Sequence, residues 1–247
     1  MSLREVNDEL DSQPEAEVVD EMGGHHSPPS PIYTYVLLAS IIAVAIVQFA
    51  AGLDESVDAA GFVKPDFIRG QYWRIVTGAA LHGGLAHIAL NGYALYSFGR
   101  IFELLSNRAH LSIVFLLAAI SGGVLSLLFV PEGRSVGASG GIVGLLSYLA
   151  VYAFKRYQFI SPEFRRSLLI NIGFIIVFGL ALYQIVDNWG HIGGLLAGAV
   201  YGLIQIPRDP YVNPGEAGGA ASLIGLACLC VFVAASIFSI FLIFRQV

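Results

Sequence analysis

Four stretches of this chain, residues 32–53, 111–130, 168–186 and 220–244, contain no charged side chain. A helix that crosses the roughly 30 Å hydrocarbon layer of a bilayer needs about 20 mostly apolar residues, so each stretch is long enough to span. No soluble domain has reason to carry four of them. Composition agrees: 56% of the 247 residues are hydrophobic and 13% are charged, against roughly 25% charged in a typical soluble domain. The mean hydropathy is +0.72. Lipid is therefore the expected solvent, and the expected fold class is an all-α membrane protein.

Between these four lie three weaker spans, residues 81–101, 137–154 and 190–206, which hold His82, His87, Asn91, Ser139 and His191 together with many glycines. The expectation is seven spans, with spans 1, 3, 5 and 7 facing lipid and spans 2, 4 and 6 carrying the polar groups. Short-loop basic residues give the orientation. Arg4, Arg100, Arg108, Lys155, Arg156, Arg165, Arg166 and Arg208 fall on one side, and Lys64, Arg69, Arg74, Arg134 and Arg245 on the other. The excess on the first side places the N-terminus in the cytoplasm.

The formal net charge of −5 comes from the first residues, where Glu5, Asp8, Glu9, Asp11, Glu15, Glu17, Asp20 and Glu21 face a single base, Arg4. Residues 1–31 read as a disordered acidic tail, and nothing in the chain signals nucleic-acid binding. Cys228 and Cys230 are two apart, on a helix about 200° apart, so they do not pair with each other. The connection over residues 54–80 holds Tyr72, Trp73 and Arg74, a cluster suited to the membrane interface.

Ionisable groups inside a membrane are costly and mark candidate sites. In an up-down chain, spans 2, 4 and 6 start from the same side. His82, His87 and Asn91 lie in the first half of span 2, Ser139 at the start of span 4 and His191 at the start of span 6, so all five share one depth. His87 and Asn91 are i and i+4, on one helix face. Glycine recurs every fourth residue along span 6 at Gly190, Gly194, Gly198 and Gly202, and Gly140 and Gly144 repeat the spacing on span 4. Such small-residue faces let helix backbones approach closely in lipid. Taken singly, Ser139 suits a helix cap, His191 an interface, and His87 with Asn91 an inter-helix bond. Asp187, one turn before His191, suits the N-cap of span 6, with orientation of His191 as a second reading. Their joint placement favours a site. A transporter is the weaker reading, because the chain shows no inverted repeat or paired broken spans and its polar groups form no relay across the membrane.

The chain resembles the rhomboid intramembrane serine proteases over about residues 32–206. The matching motifs are Trp73-Arg74, His82, the His87-x-x-x-Asn91 pair, Gly137-Ala138-Ser139-Gly140 and His191-Ile-Gly-Gly194, in that order. The resemblance implies a six-helix transmembrane bundle, with residues 207–247 adding a linker and a seventh helix. It implies a cell (inner) membrane protein without cofactor or metal. Ser139 and His191 are the implied catalytic dyad, His87, Asn91, Gly137 and Ala138 the implied oxyanion and substrate-binding residues, and His82, Trp73, Arg74, Gly194 and Gly198 the supporting ones. The implied partners are single-pass transmembrane substrates. A non-proteolytic rhomboid-like client-binding protein is the closest rival, although such proteins usually lack the serine or the histidine.

Overall fold

The computed structural model describes residues 30–209 and 211–246, so the expected acidic tail lies almost wholly outside the described residues. Ten helices and one two-stranded sheet are seen among the described residues. Helix α1 (Ile32–Ala51) stops at Gly52, whose φ of 105° turns the chain. The first loop then folds into α2 (Leu53–Ala60), β1 (Phe62–Val63), α3 (Lys64–Ile68) and α4 (Arg74–Ala80). The remaining elements are α5 (Leu85–Leu105), α6 (Arg108–Phe129), β2 (Arg134–Ser135), α7 (Ser139–Lys155), α8 (Pro162–Ala181), α9 (Asn188–Gln205) and α10 (Gly219–Phe244). Strands β1 and β2 pair antiparallel, Phe62 opposite Ser135 and Val63 opposite Arg134.

The four helices long and apolar enough to cross a membrane are α1, α6, α8 and α10, the first, third, fifth and seventh spans. The protein is a multi-pass integral membrane protein, and α5, α7 and α9 carry the polar groups between its apolar helices. Span 2 begins later than the sequence suggests. Gly84, at a φ of 141°, holds the chain out of helical geometry until Leu85, so His82 sits in a loop and not in the helix. Span 5 begins earlier, because Ser161 caps the Phe164 N–H and Pro162 fits the first turn.

Helix α7 is the centre of the bundle, buried along most of its length from Gly141 to Ala153. Helices α6 and α9 pack against it and against each other. Glycine makes this possible. A Cβ at Gly194 would collide with the Gly140 carbonyl, and one at Gly198 with the Gly144 carbonyl and Ser147 Oγ. A Cβ at Gly193 would fall 2.6 Å from the Ser121 carbonyl on α6. Adjacent glycines on α9 thus serve two neighbours. Lipid tails are as apolar as leucine, so close van der Waals packing of this kind holds the helices together. Helix α10 packs on α6, α1 and the first-loop helix α4, while α8 packs on α7 with a small contact to α9 and buries only Leu168 and Gly179.

The first loop has its own internal frame. Arg74, expected to point toward the membrane interface, turns inward and is 5% exposed. Its guanidinium donates to the carbonyls of Gly61 (2.8 Å) and Asp58 (3.0 Å) and to Gln71 Oε1 (2.6 Å). The acceptors explain the turn: two first-loop carbonyls and one side-chain amide oxygen converge on a single guanidinium fork. Tyr72 and Trp73 do stay largely exposed, and Trp73 meets Phe238 of α10 edge to face at 5.9 Å.

Candidate active site

Ser139 is the first residue of α7, preceded by a loop that only glycine can make. Gly137 has a φ of 124°, and its N–H donates to the Gly78 carbonyl at the end of α4 over 3.0 Å. A Cβ there would lie 2.8 Å from Cε1 and Nε2 of His87 and 3.8 Å from Ser139 Oγ. The His87 ring therefore occupies the space that a side chain at 137 would take, beside the serine hydroxyl. Ala138, fully buried, leads into the helix, and its carbonyl accepts the Ile142 N–H at 3.0 Å. The N–H groups at the start of α7 are left free by helix geometry.

His87, in the first turn of α5, has a defined tautomer. The Gly83 N–H donates to its Nδ1 over 3.2 Å, so the neutral ring carries its proton on Nε2, the atom beside Gly137. Asn91, one turn along, is buried and donates to the His87 carbonyl over 3.0 Å, keeping its second amide hydrogen. His82 lies behind this pair. Its ring contacts that of His87 edge to face at 5.1 Å, and its backbone is gripped at both ends by one α1 side chain: Gln48 accepts the His82 N–H (2.9 Å) and donates to the His82 carbonyl (3.2 Å).

His191 is on the first turn of α9, with its N–H bonded to the Asp187 carbonyl over 3.1 Å. A Cβ at Gly140 would sit 3.5 Å from the Gly190 carbonyl, so the residues next to Ser139 and His191 are neighbours across the helix pair. Among the described residues no hydrogen bond is formed between Ser139 and His191, and His191 Nδ1 is buried without a partner. Catalytic hydrogen bonds are often long without substrate and tighten in the complex. Trp189 turns away and stacks on Phe129 at 3.8 Å. Asp187 does cap α9, its Oδ1 accepting the Gly190 N–H at 2.9 Å.

A cavity of about 340 Å³ lies next to the serine loop, lined by Leu53, Asp54, Val57, Gly83, Arg134, Ser135 and Val136. Arg134 reaches Asp54 at 3.2 Å and Asp58 at 3.3 Å on its rim. Gln48, Gly78, Ser126 and Ser135 shape the site without having been singled out in the sequence. Gln48 had a signal, as the one amide side chain of span 1. The two serines had none.

A model of the family described as "Rhomboid domain" matches residues 69–208. The chain is similar to "Rhomboid protease GluP" of Bacillus subtilis (strain 168), 35% identical over 172 residues, which is 68% of this chain and 34% of that protein. It is similar to "RHOMBOID-like protein 6, mitochondrial" of Arabidopsis thaliana, 32% identical over 156 residues, 60% of this chain and 50% of that protein. It is also similar to "Inactive rhomboid protein 1" of Papio anubis, 27% identical over 157 residues, 63% of this chain and 18% of that protein. The chain thus spans half the length or less of these relatives.

Proposed function

The chain belongs to the rhomboid family, and on that premise we propose that it is an intramembrane serine endopeptidase that cleaves transmembrane segments of membrane proteins. The observation that carries the reading is the meeting, at one end of the bundle, of the Gly137-Ala138-Ser139 loop, the His87 ring and the Gly190-His191 turn. A serine hydroxyl is a weak nucleophile until a base takes its proton. His191 is that base. Ser139 Oγ attacks the scissile carbonyl carbon while its proton passes to His191. The tetrahedral oxyanion collapses, the C–N bond breaks, and the protonated imidazole delivers the proton to the leaving amine. Water then attacks the acyl ester, again through His191, and frees Ser139.

The oxyanion needs donors aimed at it. His87 Nε2–H, the Asn91 amide and the Ser139 N–H supply them, and the Gly83 bond to His87 Nδ1 supports the required tautomer. Gly137 and Ala138 bind substrate backbone beside the serine, while His82, Trp73, Arg74, Gly194 and Gly198 hold the frame. The protease core is residues 32–206, with residues 207–247 as linker and seventh helix. The N-terminus is cytoplasmic and the site opens to the outer side of the cell membrane, where the cavity beside Ser135 and Val136 gives water a route to the acyl ester. Single-pass substrates reach the site laterally past α8, the helix with the least buried surface among the spans named above as apolar.

Purified protein in detergent is expected to cleave a transmembrane test substrate, and Ser139→Ala or His191→Ala to abolish cleavage with the fold intact. Cleavage that survives Ser139→Ala would remove the nucleophile. A folded wild type that binds such a substrate without cutting it would favour the client-binding reading.

A further inference from the structure

Asp187 makes more bonds than a helix cap requires. Oδ1 accepts the Gly190 N–H, which satisfies the cap. Oδ2 accepts two hydroxyls from elsewhere, Ser126 Oγ on α6 and Ser135 Oγ on β2, each at 2.6 Å. These are short, charge-assisted bonds, and they tie the start of α9 to the third span and to the strand that leads into the serine loop. The Asp187 carbonyl holds the His191 N–H, so whatever fixes Asp187 in space also fixes the turn that bears the imidazole.

Lys64, at the start of α3, is 2% exposed, and its ammonium lies near Gly133, 3.3 Å from where a Cβ there would be. Burial pulls the Lys64 pKa below its ordinary value, and the Asp187 charge pulls it back up. Among the described residues Lys64 and Asp187 form no direct ion pair.

We propose that Asp187 is a positioning residue that keeps His191 in register with Ser139, clamped by Ser126 and Ser135. This rests on the Ser139–His191 reading above. Misplacing a reacting group by about 1 Å can cost on the order of 10² in rate, and a four-bond anchor across three elements limits such drift.

The test uses the full chain in detergent and in liposomes, and reads kcat and KM on a transmembrane substrate, the rate of fluorophosphonate labelling of Ser139, and Tm. Asp187→Asn is expected to lower kcat about 10- to 100-fold, with labelling slowed in parallel and KM within about two-fold. The Ser126→Ala/Ser135→Ala double variant keeps the cap and is expected to lose about three- to ten-fold in kcat with KM unchanged. The proposal is overturned if the folded Asp187→Asn and double-serine variants both keep wild-type kcat and labelling, or if only KM moves. Should Asp187→Asn fail to fold, the double-serine variant decides alone. A wild type that neither cleaves nor takes the label would instead overturn the protease reading, and this proposal with it.

Discussion

Gly137 shows how much one residue can determine. Its positive φ excludes an ordinary L side chain at about 1–2 kcal/mol, and the His87 ring fills the space where a Cβ would go. Gly137→Ala therefore has to displace either the loop or the ring, and it is expected to lower kcat on the order of 10²-fold while leaving the helical circular-dichroism signal unchanged. His87→Ala removes the ring and its Nε2 donor together. Losing one oxyanion donor, the role proposed for His87, typically costs about 10²–10³ in rate, so turnover is expected to fall by that amount with KM little changed, as steady-state kinetics would show. Asn91→Ala is expected to behave alike but to lose less, because Asn91 already spends one hydrogen on the His87 carbonyl. A large rise in KM with kcat intact in either variant would instead assign these residues to substrate binding.

At the scale of elements, the α7–α9 pair depends on glycine more than on any apolar side chain. Gly194 faces the Gly140 carbonyl and Gly198 the Gly144 carbonyl, so the backbones touch with nothing between them. Overpacking costs about 1–3 kcal/mol even where side chains can move, and a carbonyl held in a helix has little room to yield. Gly198→Leu is expected to lower the thermal midpoint in detergent by several degrees and to lose activity with it. Gly173 on α8 provides the control, because a Cβ there meets nothing within 4 Å, and Gly173→Ala is expected to leave both readouts unchanged. The spacing of these glycines was legible in the sequence. Which neighbour each glycine serves was not, since Gly193 meets α6 and Gly194 meets α7 although they are adjacent.

For the molecule as a whole, the two outer helices differ in how firmly they are held. Helix α10 is locked to the start of α6, where Ser112 Oγ donates to the Gly225 carbonyl at 2.6 Å and a Cβ at Gly225 would meet Ala109 Cα at 2.5 Å. It also reaches the first loop through Phe238 and Trp73. Removing residues 207–247 is expected to lower the midpoint of unfolding and to expose the first loop to limited proteolysis near Trp73. An unchanged digestion pattern would show that the loop stands on its own bonds to Arg74. Helix α8, by contrast, buries little of itself, in keeping with the lateral entry proposed above.

The sequence alone determined the solvent, the alternation of apolar and polar spans, and the order of the Trp73-Arg74, His87/Asn91, Gly137–Gly140 and His191–Gly194 motifs. Each of these is written in runs or spacings of a few residues, and the period of a helix converts spacing directly into a shared face. Only the tertiary structure decided that Arg74 turns inward, that Gln48 grips the His82 loop, that Lys64 is buried, and that Asp187 takes hydroxyls from Ser126 and Ser135, 61 and 52 residues away in the chain. The physical reason is that a buried polar group has to find its partner among whatever packing brings near, and nothing in the neighbouring sequence specifies what that will be.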